Sequence, residues 1–388
     1  MTATALTASE RWRSLAAVMS CVGVSGLCFG LTSPLLTLLL ERQGVDAVLI
    51  GLSAATSALA VLFVGPLVPA LVSRLGTLGA LYSAVAVAVA ALLLLPLFPN
   101  VYAWFPIRFV LGAAIAVQWI ASEIWVNRIS TDEGRGTTVG IYAMLFAVGF
   151  AIGPLLIVAV GSTGWMPFLV AAGLLAASVL PLTTAHGLAP RVSARGGGGL
   201  LTVAKHAPLL LACAWTCGAV VMSVVALLPI YGLRSGLDED AVVAMVSVFL
   251  IGNAALQLPI GWLSARIPRR QLLAGLAVLG IIGPLLLAPA LASGFALWAL
   301  LFLWGGTVIG FYTVGLVALG ERFPGSQIAA ANAAFVVVFE FGSVTGPALT
   351  GAALAAWTPH GLVVALAGIC VLFLALLALL RRAGEPGG

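Results

Sequence analysis

Apolar runs of about twenty residues, parted by short polar or glycine-rich breaks, follow one another from Leu15 to Leu380. A run of that length suits an α-helix crossing a hydrocarbon core of ~30 Å, whereas a membrane barrel strand needs only ~10 alternating residues. The pattern predicts twelve spanning helices, over approximately 14–40, 47–70, 78–98, 104–127, 137–160 and 166–185, then 207–233, 240–264, 272–292, 295–319, 328–356 and 361–380. The first run continues from Leu15 to Leu40 without a small-residue cleavage site at a suitable distance, so it is read as a retained span rather than a signal peptide. Short turns join the spans except between Thr183 and Pro208. There Arg191, Arg195, the Gly196–Gly199 run, Lys205 and His206 have the composition of a flexible linker. The expected organisation is a six-helix bundle over 1–185, a linker over 186–206 and a second six-helix bundle over 207–388.

Composition agrees with that pattern. Of 388 residues, 62% are hydrophobic and 7% charged, against the ~25% charged of soluble domains. The fold class expected is therefore all-α integral membrane. Charge placement sets an orientation. With the N-terminus inside, Arg42 and Arg234 fall outside and Arg108 lies within a span, while the rest of the 17 Lys and Arg fall on the cytoplasmic side. Both termini are then cytoplasmic, in an inner (plasma) membrane. The net charge of +5 reports topology. It does not point to nucleic acid, because the basic residues are scattered over many short loops.

The two halves resemble one another. Gly149-x3-Gly153-Pro154 returns as Gly342-x3-Gly346-Pro347, displaced by 193 residues (149 to 342). Gly112 maps onto Gly305, and Pro69-Ala-Leu-Val-Ser73-Arg74-Leu-Gly76 maps onto Gly261-Trp-Leu-Ser-Ala265-Arg266-Ile-Pro268, at 193 and 192. Small residues in spans let helix backbones approach closely, and two parallel six-span repeats form a transporter architecture with its pathway between the halves.

On these motifs the chain resembles the major facilitator superfamily over its whole length, in particular the bacterial drug:proton antiporter branch. In that family the loop after the second span reads roughly Gly-x3-Asp-Arg-x-Gly-Arg-Arg. Arg74 and Gly76 match it here, as do Gly261, Arg266, Arg269 and Arg270 in the second half, while Ser73 and Ala265 replace the acid. Arg108-x3-Gly112 is similar to the family's fourth-span motif, whose arginine is associated with proton coupling. Gly140, Gly149, Gly153 and Pro154 are similar to its fifth-span antiporter signature, with Ile157 and Val158 in place of the final glycine pair. The resemblance implies proton antiport and is silent on substrate.

The ionisable residues inside spans carry their own argument. Glu340 falls close to the middle of the eleventh span, where an ionised carboxylate costs at least ~2.5–3.5 kcal/mol. It is expected to face the protein interior and to exchange a proton; the alternative is a protonated acid bonded to a neighbouring helix. Arg108 shares a helical face with Gly112, Ile115, Trp119 and Ser122. It reads either as a coupling residue or as an arginine snorkelling to the outer interface. Glu123, near the cytoplasmic end of the same span, is read as a partner of Arg74 or Arg128 at an inner gate.

A cavity wall of aromatic and weakly polar residues is expected from Gln118, Trp119, Trp215, Thr216, Asn253, Gln257, Trp304, Thr307, Tyr312 and Thr313. Such a lining suits an amphipathic organic solute better than a polyanion, which would call for clustered Arg and Lys. Arg74, Glu123, Arg266, Gly149, Gly153, Pro154, Gly342, Gly346 and Pro347 are assigned to gating and helix packing. Cys21, Cys28, Cys213 and Cys217 lie in spans and offer soft ligands for a metal or metalloid cargo, although buried Cys ordinarily behaves as a small hydrophobe. No nucleophile–base or phosphate-binding motif occurs, so an enzyme is not expected, nor a resident metal or cofactor. The expected partners are a small-molecule substrate, protons and the lipid bilayer, with the chain acting as a monomer. The expected activity is proton-coupled export of small amphipathic molecules by alternating access. The alternative is a proton symporter or facilitator importing a metabolite.

Overall fold

The structure is a computed structural model that describes residues 7–130, 135–185, 188, 207–323 and 327–382. The predicted linker, with Arg191, Arg195, Lys205 and His206, lies outside the described residues. Every element among the described residues is helical, as expected where the backbone must satisfy its own hydrogen bonds in lipid.

Twelve helical passes are present among the described residues. The first is Ala8–Arg42 and the second begins as Ala47–Val64. A 3₁₀ turn at Gly65–Leu67 then leads into Val68–Leu97, which completes the second pass and carries the third. This long helix is broken at Gly76, whose φ of 74° is open to glycine at little cost. The motif Pro69–Gly76 expected as a loop is thus helical up to that residue. Its counterpart in the second half ends differently, with Pro268 immediately preceding the helix Arg269–Leu285. The fourth pass is Val101–Ile129, capped by Asn100, whose side chain accepts from Tyr102 N at 2.8 Å.

The fifth pass, Arg135–Ile152 then Leu155–Val160, is interrupted at Gly153–Pro154, where proline supplies no N–H to the ladder, although the matching Pro347 lies inside the continuous helix Gln327–Ala356. The sixth is Met166–Ala177 followed by Leu180–Thr183. The second half runs through Pro208–Arg234, Glu239–Ser264, Arg269–Leu285 with Leu287–Leu291, Gly294–Arg322, Gln327–Ala356 and His360–Arg382. Asp238 caps the eighth pass by accepting from Ala241 N at 2.7 Å.

Two compact units result. One comprises Met1–Leu35 and Leu59–Arg195, the other Leu36–Ala58 and Gly196–Gly388. The hairpin Leu36–Ala58 therefore groups with the second unit although it belongs to the first half of the sequence. In the first unit the core gathers Leu15, Val18, Cys21, Val72, Leu81, Trp125, Val126 and Leu182. In the second, Leu210, Ala214, Leu319, Ala331 and Phe335 form a corresponding cluster.

Candidate functional site

The repeated glycines are the places where helices touch backbone to backbone. In the first unit, a Cβ at Gly149 would strike the carbonyl oxygen of Gly23, and one at Gly153 would strike the carbonyl oxygen of Leu27. In the second unit, Gly342 and Gly346 stand in the same relation to the carbonyls of Trp215 and Ala219. Spans one and five, and spans seven and eleven, are thus held in register by positions where any side chain would force the helices apart. Spans eight and ten share a third seam, with Gly252 against Phe302 and Gly305 against Phe249.

The seam between spans seven and eleven positions Glu340. The acid lies near the middle of the 30-residue helix Gln327–Ala356, about 20 Å along it from Gln327. The residue is 8% exposed. No hydrogen bond or ion pair reaches its carboxylate among the described residues. On the same helix, Thr345 Oγ1 accepts from Trp215 Nε1 at 3.0 Å. Phe339 stands edge-on to Tyr312, with ring centroids 5.5 Å apart. The buried acid thus shares its helix with aromatic and hydroxyl contacts to spans seven and ten.

In the first unit Arg108 is 3% exposed, so its side chain is buried rather than extended to an outer interface. Gln118 is also buried; its Nε2 donates to Cys21 Sγ at 3.1 Å while its Oε1 has no partner among the described residues. Trp119 is half-buried and stacks on Phe146 at 4.8 Å. The stack continues through Phe150 to Phe29, with centroid distances of 6.1 and 5.4 Å. These three phenylalanines escape a sequence search for polar or tryptophan-lined walls, because Phe in a span reads as ordinary apolar filling.

The remaining expected wall residues do not form one group. Trp304 is fully buried, edge-on to Phe249 at 5.0 Å and packed against Gly283, in core surroundings. Thr216 is buried with its hydroxyl unpartnered among the described residues, and Thr307 returns its hydroxyl to Leu303 O at 2.9 Å. Asn253, Tyr312 and Thr313 are half-buried and Gln257 is exposed. Cys21, Cys28, Cys213 and Cys217 are free and buried, with Cys28 Sγ donating to Ala171 O at 3.4 Å. Among the described residues no three of His, Cys, Asp and Glu gather as a metal site.

Among the described residues Glu123 forms an ion pair with neither Arg74 nor Arg128. Arg74 and Glu123 are both exposed and no ion pair joins them. An ion pair between exposed side chains is worth little net free energy, so the fold does not depend on their meeting. In the second half Arg266 stacks on Trp262, 3.7 Å above the ring. Its neighbour Arg269 is ion-paired with Glu321 at the end of the tenth span. The acid that Ala265 does not supply thus comes from a helix end, a pairing of residues too far apart in sequence to be seen as a motif.

Both arginines expected outside are paired as well. Arg234 donates to Glu41 through Nε at 2.7 Å and Nη2 at 3.0 Å. Arg42 donates through Nε to Glu239 at 2.7 Å and closes a second bond to the same carboxylate through Nη2.

Comparison with known proteins is consistent with this architecture. The family model described as Major Facilitator Superfamily matches residues 18–247 and 236–388. The chain is 25% identical to the uncharacterized MFS-type transporter YfkF of Bacillus subtilis (strain 168) over 342 residues, 85% of this chain and 86% of the relative. It is 27% identical to the uncharacterized MFS-type transporter YcaD of Escherichia fergusonii over 317 residues, 81% of each. Among solved structures, a mutant of the nucleoside transporter NupG superposes with a TM-score of 0.78 at 14% identity, covering 95% of this chain and 98% of that one. A bacterial homolog of the human lysosomal transporter Spinster gives 0.74 at 13%, covering 96% of both chains.

Proposed function

This chain belongs to the major facilitator superfamily, and from that premise we propose that it is a proton-coupled exporter of small amphipathic organic molecules, of the drug:proton antiporter kind. The observation that carries the reading is Glu340, buried in the middle of a span with no basic partner among the described residues. A carboxylate in that position is stable when a proton or a cation neutralises it. Exchanging one for the other, as the surroundings open alternately to each side, couples substrate movement to proton movement. Arg108 is the second buried charge available to the cycle. The bodies that rock are the halves 1–185 and 207–388, joined by 186–206. The chain works as a monomer in the inner membrane with both termini cytoplasmic.

The aromatic residues on and beside the helix of Glu340, and the Trp119–Phe146–Phe150–Phe29 stack, favour a solute with a flat or apolar body. The solved nucleoside transporter shares the fold at 14% identity, which by itself assigns no substrate. Proton-driven import of a metabolite is the alternative, and one experiment separates the two. The purified chain is screened for binding against a panel of metabolites and drugs, and flux of the best binder is followed in proteoliposomes under two opposed pH gradients. Export by antiport moves substrate against the proton flow, and import by symport moves it with the flow. Glu340→Gln keeps shape and hydrogen bonding but does not titrate; it should bind substrate and fail to accumulate it. Accumulation by that variant at the wild-type level would overturn the assignment of Glu340.

A further inference from the structure

We propose that one end of the second unit, where the eighth, ninth and tenth spans adjoin, binds the headgroup of an anionic phospholipid, with Trp262 and Arg266 at its centre. The first support is a stripe along the eighth span. Leu258 and Trp262 are four residues apart and share a helical face; they are 81% and 59% exposed. Arg266, one turn further on, stacks its guanidinium 3.7 Å above the Trp262 ring and donates through Nη1 to the Trp262 carbonyl at 3.4 Å. An aliphatic side chain, an indole and a guanidinium thus follow one another along an exposed line. A phospholipid presents the matching order along its length, from acyl chain through the interface to phosphate.

The second support is charge. The ion pair between Arg269 and Glu321 ties the start of the ninth span to the end of the tenth, which sets Arg270 and Arg322 at the same end of the unit as Arg266. Among the described residues no carboxylate pairs with Arg266, Arg270 or Arg322. Arg270 is half-buried, and its Nε has no hydrogen-bond partner among the described residues. Guanidiniums so left bind phosphate oxygens through paired N–H donors, and basic clusters beside spans attract anionic headgroups. Phosphate in water would meet the arginines alone, whereas a lipid also covers Leu258 and Trp262. The site uses neither Glu340 nor Arg108, so it stands whichever way substrate moves.

The test titrates the purified full-length chain, in a neutral detergent, with phosphatidylglycerol or with phosphatidylcholine, and counts bound lipid by native mass spectrometry. Phosphatidylglycerol should bind more tightly. Arg266→Gln and Arg270→Gln should each weaken it about five-fold and leave phosphatidylcholine binding unchanged. Arg266→Lys keeps the charge and should retain more affinity than Arg266→Gln, which keeps the test valid should the neutral variant fold poorly. Arg128→Gln removes an exposed arginine of the first unit and should leave phosphatidylglycerol binding unchanged. Sodium phosphate at millimolar concentration should not displace the lipid. Equal affinity for the two lipids overturns the proposal, as does unchanged binding in Arg266→Gln and Arg270→Gln, or an equal loss in Arg128→Gln. Full displacement by phosphate also overturns it, in favour of a site for the free anion.

Discussion

Glu41 and Arg234 bind each other through two hydrogen bonds, at 2.7 and 3.0 Å, from the ends of the first and seventh helices. Arg42-Gln-Gly44-Val-Asp46 returns as Arg234-Ser-Gly236-Leu-Asp238 at an offset of 192 (42 to 234), so the repeat makes Arg234 the counterpart of Arg42 and not of Glu41. Each of the two matching arginines closes its helix and takes a carboxylate: Arg42 takes Glu239, and Arg234 takes Glu41, where the second half has Leu233. The arginine is common to the repeats, and the acid that meets it is not.

The glycine seams predict a graded response to bulk. Gly153→Leu inserts a side chain into the Leu27 and Leu31 backbone of the first span. It should destabilise the folded protein by on the order of 1–3 kcal/mol or more through overpacking. Gly173→Leu is the control, since nothing lies within 4 Å of a Cβ at Gly173. Thermal unfolding in detergent should separate the two variants clearly. Equal midpoints would show that spans one and five are not held by backbone contact.

Much of this was legible in the sequence because the bilayer allows so few solutions. Runs of apolar residues had to be helices, and the twelve passes appear where hydropathy puts them, with ends shifted by a few residues. The φ of Gly76 also suits its residue type, whereas Gly153–Pro154 and Gly346–Pro347, alike in sequence, differ: the first interrupts its helix and the second lies inside a continuous one. The candidate site was less legible. Trp119 and Trp304 look alike in sequence, yet one heads a half-buried stack and the other fills a core beside Gly283. Helical periodicity does not distinguish a wall from a core when both are apolar. Pairings such as Arg269–Glu321 and Arg42–Glu239 depend on which helix ends adjoin, and no local pattern encodes that.

The loop arginines should differ in consequence. Arg269 has Glu321 as its partner, whereas Arg74 makes no ion pair among the described residues. Arg74→Gln should therefore leave the unfolding midpoint unchanged. Arg269→Gln should lower it slightly at low salt and not at high salt, where screening has already weakened the pair. Arg269→Gln with Glu321→Gln should be no less stable than either single variant. Additive losses would show that the two residues act separately.

On the proposed coupling, Glu340 sets the sign of a pH response. If substrate competes with a proton for the carboxylate, as in antiport, affinity falls as pH drops and the acid takes up its proton. In symport the protonated form binds, and affinity falls as pH rises. Glu340→Gln should flatten the dependence in either case. Calorimetric or fluorescence titration at several pH values reads the result. A variant that keeps the wild-type slope would place the titrating group elsewhere.

The orientation is open to direct labelling. Gln43→Cys, in the first turn expected outside, should react with a membrane-impermeant maleimide on intact cells. Ser73→Cys, exposed at the opposite end of the second span, should react only after the cells are opened. The reverse pattern would invert the topology.

The two kinds of contact imply different histories. Gly149 and Gly153 pack in the first half as Gly342 and Gly346 pack in the second, so a single ancestral half could have built its internal seam before any duplication. The Glu41–Arg234 pair is not part of that inheritance, because the repeat sets Leu233 against Glu41 in sequence and Arg42 against Arg234, so the carboxylate belongs to one half only. A chain spliced from two second halves would keep both seams yet lose the acid that Arg234 binds. Ancestry therefore made the halves alike within themselves, and later divergence at the helix ends made them non-interchangeable.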